Sequence, residues 1–165
     1  MDFTLNGRPI SVDLPDGATM LELLREGCGV MSVKDGCAPE GSCGACTVIV
    51  DGKAVVSCAQ PATRAAGKSI TTQEGLPQEA RELWADSFVA SGASQCGFCS
   101  PGIVMKAESL LQKNPDPSRD EVARGLAGNL CRCTGYTKIV DAIEAASRGS
   151  RAAAASRAES GVTEG

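Results

Sequence analysis

Apolar and polar residues alternate over Phe3–Asn6 and again over Ile10–Leu14, and the two runs flank Asn6-Gly7. A period of two places one face of a strand toward a core. Asn-Gly between two such runs signals a hairpin, because a tight primed turn needs positive φ at both central residues. Thr19-Met-Leu-Glu22 then reads as a capping box. Leu21, Leu23 and Leu24 give the helix behind it an apolar face, and Gly27 is placed to end it. Thr47-Val-Ile-Val50 and Ala54-Val-Val56 flank Asp51-Gly52, which predicts a second hairpin. Residues 59–77 hold one more short strand and then a connector ending at Pro77. The first half is expected to be a small mixed sheet with a single helix across it.

Beyond residue 75 the period changes. Residues 78–91, 101–113, 119–127 and 137–148 show helical spacing of apolar positions. Pro101 suits the first turn of its helix, and Asn114-Pro-Asp-Pro117 breaks the chain. Ser118-Arg-Asp-Glu121 is another capping box, and Gly128 fits a helix C-terminus. This predicts four short helices and a division into residues 1–76, residues 77–148 and a tail, 149–165. The tail is rich in Ala, Ser and Gly and weakly patterned, so it reads as a flexible end, with a partner-docking arm as the alternative.

Composition sharpens this. Of 165 residues, 42% are apolar but only 3% aromatic, so each half would have a thin core and needs a covalent or metal staple. The net charge of −4 argues against nucleic-acid binding. No apolar run approaches the ~18 residues that a membrane span requires. The N-terminus lacks a basic segment followed by an apolar one. A soluble, cytoplasmic chain is expected. Nine cysteines are present and no histidine. An odd count and a reducing compartment disfavour a disulfide framework and favour metal ligation.

Cys37, Cys43, Cys46 and Cys58 form C-x5-C-x2-C-x11-C, three of them on a Gly-rich loop and one at the end of a returning strand. Plant-type ferredoxins hold a [2Fe–2S] cluster with C-x4-C-x2-C and a distant fourth Cys. Glycines let such a loop wrap closely and aim its amide N–H groups at the sulfurs. Cys96 and Cys99 lie between two predicted helices, and Cys131 and Cys133 between the next two. If both connections lie at one end of a bundle, these four sulfurs meet as well. Cys28 is left over and reads as a small semi-buried residue rather than a reactive thiol. The main rival is four-cysteine zinc, whose structural sites more often pair two C-x2-4-C knuckles; neither set here does. Without histidine, a Rieske centre and imidazole acid–base catalysis are excluded.

In GSCGACTV, the SC at 57–58, SQCGFCSPGIVM and NLCRCTGYTKI, the chain resembles the iron–sulfur subunit, or N-terminal iron–sulfur domain, of the molybdenum hydroxylases, the xanthine oxidase/aldehyde oxidoreductase group. The likeness spans about residues 2–147. It implies an α+β chain: an N-terminal plant-ferredoxin-like β-grasp domain, then a C-terminal four-helix domain, each with one [2Fe–2S] cluster. It also implies that the helical-domain cluster lies nearer a molybdopterin in a large partner subunit. The other cluster would lie toward FAD, which a medium subunit would carry. Gln95 and Cys133 are implied to sit beside the pterin. From sequence alone Gln95 could equally be an ordinary helix-end residue, and Arg132 reads as facing solvent. One departure stands out: five residues, rather than the family's usual four, separate Cys37 from Cys43, and the extra one beside Pro39 is expected to bulge the loop without removing a ligand.

The chain offers no group for substrate chemistry, so its role would be one-electron transfer. Two oxidised clusters would take the formal charge from −4 to roughly −8. A free-standing two-cluster electron carrier and a zinc-stapled interaction module are the alternatives. The first would not need the helical half, and the second would be colourless and free of sulfide.

Overall fold

The computed structural model describes residues 1–13, 15–37 and 39–160, with side chains through Ser156. Leu14, Ala38 (the neighbour of Pro39 in the lengthened Cys37–Cys43 segment) and residues 161–165 of the expected tail lie outside the described residues.

The first hairpin joins β1 (Asp2–Leu5) to β2 (Arg8–Ser11), with Phe3 opposite Ile10. Its turn holds Asn6 at φ 52° and Gly7 at φ 79°. The second joins β3 (Thr47–Val50) to β4 (Lys53–Val56) through Asp51 and Gly52 at 46° and 78°. Both match the primed turns that the dipeptides predicted. With β5 (Ser69–Thr71) the strands form one sheet in the order β2-β1-β5-β3-β4. β1 runs parallel to β5, and the other pairs are antiparallel.

The capping box at Thr19 is formed: its hydroxyl accepts from the N–H of Glu22, whose carboxylate accepts from the N–H of Thr19 at 2.7 Å. The α-helical part, α1 (Met20–Glu22), is one turn, and Leu23–Gly27 continue as a wider π turn. Met20, Leu21, Leu23 and Leu24 are buried against Phe3, Leu5, Val48 and Ile70 of the sheet. The left-handed residue after this turn is Gly29, at φ 69°, rather than Gly27.

Four helices follow: α2 (Gln78–Ser91), α3 (Ser100–Lys113), α4 (Arg119–Gly125) and α5 (Thr137–Ser160). α2 lies along α5, and α3 lies across the outer face of β3 and β4. Their core contains Trp84, Phe88, Ile103, Met105, Val122, Ile139 and Ile143, with Trp84 and Phe88 edge-to-face at 6.3 Å. Ile49 belongs to this second core, whereas its neighbour Val48 belongs to the first. The pleat thus gives each core one face of β3.

Two helix ends depart from expectation. α4 stops at Gly125, so Gly128 does not cap it. α5 continues past 148 to Ser160, so residues 149–160 are helical. Its second half packs closely because Gly149 has no side chain: a Cβ there would lie 2.6 Å from Leu83 Cδ1. Ser147 donates to the carbonyl of Pro115 at 2.7 Å, and Arg151 pairs with Asp116. Among the described residues no helix is long and apolar enough to cross a membrane.

Candidate metal centres

Both cysteine sets converge. The β3–β4 ladder pairs Thr47 with Val56, which places Cys46, just before β3, beside Cys58, in the short turn after β4. The N–H of Cys58 donates to Cys46 Sγ at 3.4 Å, and Ser57 donates its hydroxyl to the Cys46 carbonyl at 2.9 Å. Cys43 meets Cys37 sulfur to sulfur, and the N–H of Ala45 donates to Cys43 Sγ at 3.5 Å. Cys37 is held down to about 6, chiefly by the N–H of Cys43, with Ser42 adding further donors. Burial pushes Cys58 up to about 12, and the adjoining Cys46 sulfur adds to this. Burial also raises Cys43. A loop that supplies amide donors to a thiolate, beside thiols that keep their protons until a metal displaces them, has the donor chemistry of a metal centre.

The second set is built from the α2–α3 and α4–α5 connections. Cys96 and Cys133 lie with their sulfurs 3.5 Å apart, both exposed. Cys99 and Cys131 meet deeper in. Burial drives Cys99 up to about 12, with the Cys131 sulfur adding to it. The Cys96 thiol is lowered, first by the N–H of Phe98 and then by Cys133, which is itself raised by Cys96. For Cys131, burial acts upward but is outweighed by the Thr134 hydroxyl and the nearby amides, so its net shift is down.

Among the described residues no three Cys, Asp or Glu side chains are set to hold a single metal ion. Each set is instead two touching pairs: Cys37 with Cys43 and Cys46 with Cys58, then Cys96 with Cys133 and Cys99 with Cys131. Two thiolate pairs per set are what a two-iron unit needs, so the residues fit a [2Fe–2S] cluster.

The two sets are wired to each other. The N–H of Leu130, next to Cys131, donates to the carbonyl of Cys43 at 2.8 Å. Asn129 is buried, and its Nδ2 reaches the Gly44 carbonyl at 2.9 Å, Thr47 Oγ1 at 3.2 Å and the Gly102 carbonyl at 3.3 Å. The approach is close enough that a Cβ on Gly44, at φ 69°, would sit 2.2 Å from the Gly128 carbonyl.

Gln95 is exposed, and its Nε2 donates to the carbonyl of Cys133 at 3.2 Å. Arg132 is exposed. Cys28 packs on the sheet core, where burial raises its thiol. Sequence reading did not single out Asn129, Thr134 or Tyr136. An asparagine and a threonine bracketing Cys-x-Cys were the available signals, but each reads equally well as turn chemistry.

Two family models cover the chain: a 2Fe-2S iron-sulfur cluster binding domain matches residues 3–77, and a [2Fe-2S] binding domain matches residues 72–144. Over 144 residues the chain is 44% identical to the nicotinate dehydrogenase small FeS subunit of Eubacterium barkeri, covering 87% of this chain and 91% of that one. It is 45% identical to the xanthine dehydrogenase iron-sulfur-binding subunit of Escherichia coli O157:H7, with the same coverage. The chain belongs to the iron–sulfur small subunits of the molybdenum hydroxylases. The solved quinoline 2-oxidoreductase of Pseudomonas putida 86 superimposes with a TM-score of 0.86 at 44% identity, covering 92% of this chain and 94% of that one. As a molybdenum hydroxylase small subunit, this chain is the electron-transfer part of an oxidoreductase, with two [2Fe–2S] clusters and a large catalytic partner.

Proposed function

We propose that Cys37, Cys43, Cys46 and Cys58 hold one [2Fe–2S] cluster and Cys96, Cys99, Cys131 and Cys133 the other, each touching pair serving one iron. The pairing of the sulfurs is the observation that carries this reading. When bound, the clusters supply one-electron steps, so that electrons from a two-electron oxidation at the partner's molybdopterin leave singly toward FAD in a medium subunit.

The chain's own residues do the rest. Amides of Ser42, Cys43, Ala45 and Cys58 face the sulfurs of the first set and offset the charge that a cluster brings. Buried Cys46 and Cys58 keep water from one side of it. Gln95 and Cys133, exposed and bonded to each other, are the groups through which the second set would face the pterin. The Leu130–Cys43 bond gives the shortest covalent-plus-hydrogen-bond bridge from one ligand set to the other that the observed contacts contain. In this reading residues 1–76 form a plant-ferredoxin-like β-grasp domain and 77–148 a four-helix domain, with α5 extended beyond it. Nine cysteines, eight of them assigned here as cluster ligands, favour a reducing, cytoplasmic setting.

The test is metal and acid-labile sulfide analysis with electron paramagnetic resonance (EPR) of the reduced protein. Two distinct [2Fe–2S] signals are expected. Cys43→Ser should remove one of them and about half of the iron and sulfide. Zinc without sulfide in the wild type would end the redox reading.

A further inference from the structure

We propose that Thr134 tunes the second cluster: its hydroxyl donates to Cys131 Sγ and raises the reduction potential of the cluster held there. This rests on the [2Fe–2S] reading of that set. Thr134 Oγ1 lies 3.1 Å from Cys131 Sγ. A hydroxyl has one proton to give, and a sulfur that ligates iron is a thiolate with none of its own, so in this pair the hydroxyl is the donor. The N–H of Tyr136 donates to the same Oγ1 at 3.3 Å, taking one of its lone pairs and helping to orient the hydroxyl toward the sulfur.

The backbone is bent to make this arrangement. Tyr136 stands at φ 71°, directly after Gly135 at 68°. A bulky residue in the left-handed region is a true outlier, held only where its surroundings over-determine it. The surroundings here are specific. Tyr136 Oη accepts from the N–H of Cys131 at 2.8 Å and donates to the Asn129 carbonyl at 3.1 Å. The ring therefore clamps the chain on both sides of Leu130, while its own N–H orients Thr134. The phenol also engages the Cys131 amide, so Tyr136 and Thr134 fix the backbone and the sulfur of the same ligand.

A donor to a ligating sulfur stabilises the reduced, more negative cluster over the oxidised one, so it raises the potential. Thr134 is thus a positioning and tuning residue, and it touches no substrate.

The experiment is redox titration of the full chain with both clusters, followed by EPR. The second cluster's signal is assigned by its loss in Cys99→Ser. Thr134→Val keeps the shape and the backbone N–H and deletes only the hydroxyl. It should move the midpoint potential of the second cluster downward, leave that of the first unchanged, and keep full iron and sulfide. Thr134→Ser should restore the wild-type value. An unmoved potential in Thr134→Val, equal shifts at both clusters, or a serine variant that behaves like valine would each overturn the proposal. Should the valine variant fail to assemble, Thr134→Ala compared with the wild type decides: electron–nuclear double resonance in H2O and D2O should show one exchangeable proton coupling fewer at the second cluster in Thr134→Ala, the amide couplings remaining. An unchanged set of exchangeable couplings in Thr134→Ala would refute the assignment. Absence of any [2Fe–2S] signal in the wild type would instead reject the cluster reading.

Discussion

Gly102→Ala sets two effects of opposite sign against each other. Gly102 lies in the first turn of α3 in an ordinary helical conformation, so alanine should help the helix by up to about 1 kcal/mol, and less at a terminus. Its face is against the other half of the molecule. The added Cβ would stand 2.5 Å from the Gly44 carbonyl oxygen, 3.0 Å from that of Ala45 and 3.1 Å from the Ala45 carbonyl carbon. These are backbone atoms and cannot swing aside, and contacts under 3.0 Å require movement. Relieving the shortest one takes about 0.5 Å (3.0 less 2.5). Overpacking of this kind costs about 1–3 kcal/mol, so with a helix gain of about 0.5 kcal/mol at this terminal position the net effect is destabilisation by about 0.5–2.5 kcal/mol. With a urea slope of about 2 kcal/mol/M, the unfolding midpoint should fall by about 0.25–1.25 M. The assay is anaerobic urea titration followed by far-ultraviolet circular dichroism and by visible absorbance of the clusters. The same displacement would stretch the Leu130–Cys43 bond from 2.8 Å toward about 3.3 Å, near the limit of a hydrogen bond. The spin–spin interaction between the two reduced clusters should therefore weaken. Gly128→Ala is the control: a Cβ there meets nothing within 4 Å, and the change should stay within about 0.5 kcal/mol. A midpoint in Gly102→Ala that holds or rises would refute the close approach as a source of cost.

Glu74 accepts from the Ser32 hydroxyl at 2.6 Å and the Thr72 hydroxyl at 2.6 Å, tying the approach to Cys37 to the end of β5. Burial alone would raise its carboxyl, but these donors outweigh it and hold it below 4.5. A lowered folded value means that the stabilisation is whole above pH 4.5 and drains away as the pH falls through that lowered value. Glu74→Gln should flatten this acid limb in urea midpoints measured across the range; an unaltered limb would assign it to other groups. Gln95→Ala should retain both cluster signals and slow turnover of the assembled complex, measured with any substrate that the complex accepts; unchanged turnover would remove Gln95 from the route.

Much of the fold could be read from short-range chemistry. Asn6-Gly7 and Asp51-Gly52 adopt the positive φ values that their side chains tolerate, and both capping boxes close as Thr19 and Ser118 predicted. The convergence of Cys96 and Cys99 with Cys131 and Cys133 followed from two helix connections at one end. What escaped was non-local or weakly patterned. The β1–β5 pairing joins Leu5 to Ile70 across most of the first half, and no local pattern encodes it. The run of alanines after Gly149 has no apolar stripe, so periodicity stops at 148, yet alanine favours helix strongly enough to continue it. Asn129 reads as a loop residue until three oxygens from distant segments surround it.

The division of β3 between two cores has a consequence during synthesis. Val50 leaves the ribosome 63 residues before Lys113 completes α3, the helix that covers Ile49. At about 5–20 residues per second, the outer face of that strand stays bare for about 3–13 s. During that interval the first cysteine loop is already made, and neither Gly102 nor Asn129 yet locks it from outside. The nascent chain therefore passes through a brief state in which its first thiol set is open on the side that the finished subunit closes.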